Sequence, residues 1–277
     1  MVALKSFVQK QGKIVLAYYR FIFWCEAFGI QILKMKSAAQ GIPFVIKDYF
    51  QLKQQNKATA TPWKLGFTMP CFHDKSDFGG VASGDYFHQD LLVAQKIFVA
   101  QPQKHVDVGS RIDGFVAHVA AFRPIEVFDI RPLNTSPKNI LFKQANLMEL
   151  PSDLLNYCDS LSCLHALEHF GLGRYGDPID IDGYQKGFKN LYKMLKTGGR
   201  LYCSVPIGAQ RIEFNAHRVF SIKTVLEMAG VGLTLIDFSY VDDSGALHES
   251  PLLTEEAMTS SFHLHYGCGI FEFQKVA

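Results

Sequence analysis

One short turn of the chain combines the residue types that hold a nucleoside. The run 105–114 reads His-Val-Asp-Val-Gly-Ser-Arg-Ile-Asp-Gly, so an apolar strand carrying Asp107 opens at Gly109 into a turn and a helix start. A second apolar run ends in Asp129, 22 positions after Asp107. A glycine lets backbone approach a ligand closely, and a carboxylate at the next strand end can accept hydrogen bonds from two ribose hydroxyls. The spacing predicts a site for an adenosine-bearing ligand.

The glycine pattern of this turn argues against a dinucleotide. The G-x-G-x-x-G pattern that surrounds a pyrophosphate is absent, because Arg111 and Asp113 stand where small residues are needed. A buried guanidinium needs a partner, which Asp113 or Asp129 could provide. Arg111 therefore either binds a carboxylate of the ligand or caps the following helix and points outward.

A second polar cluster lies at 165–169, where His165, Glu168 and His169 form an H-x-x-E-H pattern. Inverted zinc peptidases use this pattern inside a helix, with two histidines on zinc and the glutamate as base. Here the pattern directly follows an apolar strand-like run and is closed by Phe-Gly-Leu-Gly at 170–173. We therefore expect a loop after a strand and no metal ligands, with a zinc hydrolase kept as the third hypothesis.

The segments that position these residues alternate between strands and helices. This alternation predicts an α/β fold with a doubly wound (Rossmann-like), mostly parallel seven-stranded sheet and helices on both faces. Ligands of such sheets lie beyond the carboxyl ends of the strands, where Asp107, Asp129, Asn146 and His165 fall. The strand-like runs are 104–108, 125–130, 139–144, 160–164, 200–205, 233–241 and 266–275, and the helical stretches among them are 114–122, 183–195 and 222–229.

The order of these motifs resembles that of the class I S-adenosylmethionine-dependent methyltransferases, whose first motif reads acidic-x-Gly-x-Gly-x-Gly. Asp107 and Gly109 match that motif, while Arg111 departs from it. Three later runs, 146–151, 159–169 and 195–201, resemble the family's adenine-side segment, its fourth strand with the following turn, and the entry to its fifth strand. The runs 85–91, 107–115 and 164–169 more narrowly resemble a bacterial methyltransferase-like family of unassigned function that is associated with surface-polysaccharide genes.

The resemblance implies S-adenosylmethionine as cofactor and a last strand that runs antiparallel. It places a helix that includes Tyr86, His88, Gln89 and Asp90 over the cofactor as a lid. The implied cofactor-binding residues are Asp107, Gly109, Ser110, Arg111, Asp129, Ile130, Asn146, Leu147 and His165.

Transfer of a methyl group to an oxygen acceptor requires a group that removes a proton. His169 is the first candidate for this base, with Glu168 beside it on the acceptor side and with His88 and His217 behind it. For each of these histidines, a structural role is as well supported by the sequence as a catalytic role. The leading hypothesis is a methyltransferase for a small molecule, such as a sugar or sugar-nucleotide hydroxyl. The alternative is a non-catalytic binding protein of this fold in polysaccharide biosynthesis.

Charge and aromatic residues set the N-terminal part apart. Residues 1–60 carry nine Lys or Arg against two acidic residues, whereas the remainder carries nineteen against twenty-four. We expect an N-terminal helical extension (1–60) with a helix end near Gly41-Ile42-Pro43, a linker and lid segment (61–100), and the cofactor domain (101–277). The basic aromatic extension predicts either contact with a membrane surface or a solvated helix face. The sequence has no dense Lys/Arg run of the kind that binds nucleic acid, so we expect no nucleic-acid partner.

Neither a membrane-spanning helix nor a secretion signal is expected. The apolar run 14–33 contains Arg20 and Glu26, each of which would cost about 2.5–3.5 kcal/mol inside hydrocarbon. It also lacks the small-residue cleavage site of a signal peptide. The six cysteines form no C-x-x-C pair, so free thiols in a reducing cytoplasm are the simpler expectation.

Overall fold

The computed structural model describes residues 13–77 and 79–276, which divide into two compact units. The described residues up to Val81 form the N-terminal unit, and those from Ala82 onward form the sheet unit. The N-terminal unit contains two helices, α1 (Lys13–Ala27) and α2 (Ile32–Lys57). None of the helices in the described part of the chain is long and apolar enough to cross a membrane.

The predicted helix end near Gly41-Ile42-Pro43 is wrong, because α2 continues through these residues to Lys57. Gly41 is buried, and a Cβ atom there would lie only 1.5 Å from the carbonyl oxygen of Phe72. The glycine therefore permits close packing inside the N-terminal unit instead of ending the helix. Pro43 withholds one backbone donor, which the neighbouring helical turns tolerate.

The sheet unit is built on one large mixed sheet. The strands of this unit are β1 (His105–Val108), β2 (Ile125–Asp129), β3 (Ile140–Gln144), β4 (Cys158–Leu164), β5 (Leu195–Ile207), β6 (Arg211–Glu213), β7 (His217–Val219), β8 (Leu233–Val241), β9 (Leu247–Glu249) and β10 (Gly267–Lys275). The strands of the large sheet lie in the order β3-β2-β1-β4-β5-β10-β8-β9. A separate two-stranded hairpin joins β6 to β7.

The sheet has eight strands and is partly antiparallel, which corrects the expected count of seven. The four pairs among β1 to β5 are parallel. The last strand, β10, lies antiparallel between β5 and β8, as the resemblance implied. The additional strand is β9, a three-residue edge strand paired antiparallel to β8. Its shortness explains the miss, because three residues carry too little alternation to be recognised.

Helices cover both faces of this sheet, as the alternating pattern predicted. Val106, Leu161 and Cys203 belong to one buried cluster, and Val127, Leu164 and Tyr202 belong to a second, since successive side chains of a strand point to opposite faces. Helices α5 and α6 contribute to the first cluster and α3 and α4 to the second. The helices of the sheet unit are α3 (Asp85–Ala100), α4 (Ala117–Ala120), α5 (Gly183–Met194), α6 (Ile222–Ala229) and α7 (Glu255–Ser260).

The strand order reverses direction between β1 and β4. The chain leaves β1 for β2 and β3 on one side and then crosses to β4 and β5 on the other. Connections on the two sides of such a point diverge and leave a crevice at the carboxyl ends of the strands, which is where open α/β sheets bind ligands. The turns after β1, β2 and β4 therefore define the candidate site.

Candidate functional site

The turn after β1 is held tightly against the turn after β4. Gly109 has φ +73°, a left-handed conformation that glycine adopts without strain. A Cβ atom on Gly109 would lie 2.8 Å from the Cβ of Ala166, so a larger residue would displace the loop after β4. The N–H of Gly109 donates to the carbonyl oxygen of Phe128 at 2.9 Å, which places the turn directly beside the end of β2.

Asp107 supports this turn from inside the protein. It is fully buried, and its carboxylate accepts hydrogen bonds from Ser110 Oγ at 2.6 Å, Ser110 N at 3.0 Å and Ser162 Oγ at 2.5 Å. Burial raises the pKa of Asp107 to about 6, against the opposing effect of these bonds. Ser110 is also buried and accepts a hydrogen bond from Leu164 N. Both side chains are thus engaged in joining β1 to β4.

Asp129 ends β2 beside Gly109, and Arg131 covers it. Arg131 donates its backbone N–H and its Nε to Oδ1 of Asp129, at 2.8 and 3.0 Å, and its NH2 group to Oδ2 at 2.6 Å. The Arg131 guanidinium also lies over the Tyr175 ring, 4.3 Å from its centre. Because a carboxylate oxygen accepts about two hydrogen bonds, a ribose diol could bind both oxygens of Asp129 only if the Arg131 side chain moved.

The side chain of Arg111 points outward, which is the second of the two expected arrangements. It forms a two-pronged pair with Asp113, with its Nε 3.1 Å from Oδ1 and its NH2 group 2.9 Å from Oδ2. Its guanidinium lies over the ring of Tyr86, 4.9 Å from the centre. Both members of the pair are more than half exposed, so Arg111 links the turn to the first residues of α3 at the surface.

Helix α3 joins the site through buried polar groups. Gln89 accepts a hydrogen bond from Ser204 Oγ at 2.5 Å, and that hydroxyl oxygen accepts one from the backbone N–H of His165 at 3.1 Å. Asp90 lies against Gly114, where an added Cβ would be 2.5 Å from its carboxylate. Burial raises the pKa of Asp90. The sequence placed Gln89 and Asp90 in a lid but gave no signal for Ser204, 115 positions from Gln89.

His165 and Glu168 form a buried ion pair after β4. Nδ1 of His165 is 3.2 Å from Oε1 of Glu168, and both side chains are at least 96% buried. Burial opposes both charges, but the contacts with Cys268 and Glu168 raise the pKa of His165 well above 6.5, and the contact with His165 lowers the pKa of Glu168. His165 Nε2 and Glu168 Oε2 are buried without a hydrogen-bond partner among the described residues. Tyr86 packs over the imidazole with ring centres 5.2 Å apart.

His169 is fixed in one tautomer by the backbone. Its Nδ1 lies 2.7 Å from the carbonyl oxygen of Ala216, which can only accept, so Nδ1 carries the proton. Nε2 then holds the lone pair and lies 3.6 Å from Oε1 of Glu168. Burial lowers the pKa of His169 below 6.5, against the opposing charge of Glu168. His169 is therefore neutral at pH 7 and able to accept a proton at Nε2.

The two other candidate bases have different surroundings. His217 packs against Tyr266 with ring centres 4.9 Å apart, and burial lowers its pKa to about 4. Glu168 and His169 are among the charged groups that act on it, so it belongs to the same side of the site. His88 is half-buried on α3, and its ring contacts Phe87.

The segment after β3 forms its own turn. Asn146 accepts a hydrogen bond from Met148 N at 3.1 Å, and Leu147 is buried. Asn190 on α5 anchors the segment by donating to the carbonyl oxygens of Leu147 and Met148. At the end of β2, the carbonyl oxygen of Ile130 accepts a hydrogen bond from Gln144. The side chains of Ile130 and Asn146 are half-buried.

Glu168 and His169 lie in a single 3₁₀ turn after β4, and His165 lies in the bend before that turn, so the H-x-x-E-H residues are not in an α-helix. Both histidines direct a ring nitrogen at Glu168, so the arrangement differs from two imidazoles one helical turn apart that face a common ion. Among the described residues, the one group with metal-ligand spacing is His73, Asp74 and Asp77 in the N-terminal unit. Its carboxylates are exposed, and exposed acidic groups commonly bind no metal.

Residues 137–262 match a family model described as "Caenorhabditis protein of unknown function, DUF268", which covers less than half of the chain. No curated protein sequence matches the chain.

Several solved structures are similar to the chain, among them two methyltransferases and a cyclase. N-methyltransferase NodS from Bradyrhizobium japonicum WM9, in complex with S-adenosyl-L-homocysteine, is 14% identical with a TM-score of 0.46, over 82% of this chain and 97% of NodS. The 1,6-didemethyltoxoflavin-N1-methyltransferase of Burkholderia thailandensis is 14% identical with a TM-score of 0.48, over 68% and 79% of the two chains. The [4+2]-cyclase SpnF is 12% identical with a TM-score of 0.49, over 87% and 97%. At these values the activity of this chain has to be argued from its own geometry.

Proposed function

We propose that the chain is an S-adenosylmethionine-dependent methyltransferase that acts on a hydroxyl group of a small molecule such as a carbohydrate. The observation that carries this proposal is that the Gly109 turn lies against the end of β2, where Asp129 stands, at the point where the strand order reverses. A left-handed glycine puts no side chain between this turn and the carboxylate, which suits a nucleoside without a pyrophosphate. Arg111 and Asp113 occupy the positions that a pyrophosphate would need.

The residues of the site fit this cofactor. Asp129 would accept the two ribose hydroxyls, with Gly109 supplying the close backbone approach. Ile130, Asn146 and Leu147 border the adenine side, and His165 lies in the buried turn after β4, where its imidazole contacts Glu168 and Cys268. Asp107 and Ser110 act from beneath, because their polar atoms are used in holding the turn. The cofactor, when bound, supplies an electrophilic methyl group on sulfur.

His169 is the residue that we assign to proton removal. With Nδ1 held by Ala216, its Nε2 takes the proton of the acceptor hydroxyl. The imidazolium so formed lies 3.6 Å from Oε1 of Glu168, whose negative charge stabilises it. The charge of Glu168 is itself maintained by His165. The three residues of the H-x-x-E-H pattern thus act as one proton-accepting unit.

The second candidate function is binding without turnover. It is favoured by the pair between Asp129 and Arg131, which occupies the ribose-binding carboxylate, and by the loss of the later glycines of the first motif. The two candidate functions differ in whether a methylated acceptor is formed. Incubation with S-adenosylmethionine carrying a labelled methyl group and a panel of sugars and sugar nucleotides should transfer label to at least one acceptor. Tight cofactor binding with no transfer to any of them, and no release of S-adenosylhomocysteine, would favour the binding protein.

A further inference from the structure

A cavity of about 310 Å³ lies beside the β6–β7 hairpin and the start of α5. This volume is within the range of small-molecule sites. Side chains such as Ile212 and Phe220 form apolar walls, and Arg211 and Arg218 are its two cationic residues. Asp182 also lines the cavity, and no ion pair joins it to either arginine among the described contacts. The lining therefore carries two guanidinium groups and one carboxylate, and Arg211 is in addition paired with Glu213 outside the lining.

Arg218 is the unusual member of this lining, because it is a buried cation without a carboxylate partner among the described residues. It is only 4% exposed, and its strongest bonds go to the carbonyl oxygens of Phe170 at 2.6 Å and Ile181 at 3.1 Å. Its Nε atom is buried without any hydrogen-bond partner in the described structure. The guanidinium also lies over the Tyr184 ring, 4.9 Å from its centre, and the charges of Asp177, Asp180 and Asp182 act on it without a hydrogen bond to their carboxylates. Because a charge taken out of water is costly unless it is paired, an anion in direct contact would stabilise Arg218 further.

The neighbouring polar groups of the cavity offer donors. Arg211 is held by Glu213 through Nε at 2.8 Å and donates NH1 to backbone carbonyls, so its guanidinium has a fixed position. The side-chain oxygen of Gln210 accepts a hydrogen bond from Thr224 Oγ1 at 2.6 Å. The side-chain N–H groups of Gln210 are therefore its donors toward the cavity. Fixed guanidinium and amide donors are the groups that recognise planar or tetrahedral oxyanions.

We propose that this cavity binds an anionic group, a carboxylate or a phosphate, carried by the methyl acceptor. The inference rests on the proposed function and specifies the substrate class: an acidic molecule such as a uronic acid or a sugar phosphate. Arg218 connects the cavity to the base, since it donates to the carbonyl oxygens of Glu168 and Phe170, the residues on either side of His169. An acceptor anchored at Arg218 is thereby held next to the turn that carries the proton acceptor.

The test compares thermal unfolding with four probes at equal ionic strength: inorganic phosphate, glucose 6-phosphate, glucuronate and glucose. At ten times its dissociation constant, a ligand that binds the folded state should raise the midpoint by about 3–6 °C. We expect such a shift with at least one anion and none with glucose. The arms separate the sources: glucuronate alone indicates a carboxylate, and the two phosphates alone indicate a phosphate.

Variants locate the effect. Arg211→Gln should abolish the shift while leaving the unliganded midpoint nearly unchanged, because Arg211 lies at the edge of the cavity. Arg218→Lys, which retains the charge but loses the fork of donors, should reduce the shift, and Arg20→Gln serves as the matched control at an exposed arginine outside the lining. No shift with any anion, an equal shift with glucose, or a shift retained in Arg211→Gln overturns the proposal. S-adenosylhomocysteine binding is measured in parallel, so that its absence identifies a failure of the proposed function instead.

Discussion

At the scale of single residues, the site depends on which polar atoms are already used by the protein. The carboxylate of Asp107 is engaged by Ser110 and Ser162, whereas Asp129 is covered by the side chain of Arg131. The sequence identified both acids by their spacing but could not distinguish these environments, because Ser162 is 55 positions from Asp107. The same limit applies to Arg218, whose lack of a carboxylate becomes visible only when its neighbours are known.

Replacing His169 should affect catalysis more than cofactor binding. His169→Ala should lower turnover by about 10²–10⁴-fold, the usual contribution of a lost base. In the wild type, kcat/KM should fall with decreasing pH below 6.5, because the lowered pKa of His169 means that protonation disables Nε2 only in that range. The variant should lack this acidic limb.

The control for this prediction is His248→Ala. His248 lies on the edge strand β9, is half-exposed and is paired with Asp242. This substitution should leave both turnover and the pH profile unchanged. If His169→Ala retained full turnover with the same acidic limb, the base would have to be another group, with His217 next in line.

At the scale of elements, alternating apolar patterns located the central strands and the helices of the sheet unit to within a few residues. The observed β8, Leu233–Val241, coincides with the expected strand, and α6, Ile222–Ala229, with the expected helix. Short elements were missed because their pairing depends on partners distant in sequence, as for β9 and the β6–β7 hairpin. Gly41 and Pro43 are residue types typical of a helix end, but α2 continues through them because Gly41 packs closely against Phe72.

Asp107, which connects β1 to β4, should contribute less to the free energy of unfolding at neutral pH than at acidic pH. Because burial raises the pKa of Asp107 to about 6 from 3.8, the folded protein retains a proton that the unfolded chain releases between these values. The contribution of Asp107 to the free energy of unfolding therefore decreases by about 2 kcal/mol as the pH rises from 4 to 7. Asp107→Asn removes this dependence, since the serine hydroxyls can also act as acceptors.

Urea unfolding of both proteins at pH 4 and pH 7 tests this expectation. The difference in unfolding free energy should shift by about 2 kcal/mol in favour of Asp107→Asn at the higher pH. Asp153→Asn, at an exposed position, corrects for the loss of one negative charge. A difference that does not vary with pH would mean that Asp107 is as well solvated or paired in the folded state as in the unfolded chain.

At the scale of the whole molecule, the two units have different surfaces. Helix α1 exposes large aromatic side chains at helical spacing: Phe21, Trp24 and Phe28 are 60%, 66% and 77% exposed. The first 60 residues carry the excess of basic residues. Aromatic side chains combined with positive charge suit the interface of an anionic bilayer, so we expect the full chain to bind such vesicles.

Sedimentation with vesicles of phosphatidylserine and phosphatidylcholine tests this expectation. The full chain should pellet with anionic vesicles and much less with pure phosphatidylcholine, and replacing Phe21, Trp24 and Phe28 with serine should reduce binding. A chain shortened to residues 82–277, one of the two compact units, should remain folded and stay in the supernatant. Equal binding by the shortened chain would assign the membrane contact elsewhere, and equal binding to both lipids would leave no role for charge.

We propose that Gly109 and Asp129 form a nucleoside site for S-adenosylmethionine, and calorimetric titration with S-adenosylhomocysteine is the direct test of this site. We expect one site per chain, an affinity about tenfold to a hundredfold weaker in Asp129→Ala, and no competition from a nicotinamide dinucleotide. Arg131→Ala should bind at least as tightly as the wild type, because it frees the Asp129 carboxylate. No binding by the wild type, or equal affinity in Asp129→Ala, would contradict the account.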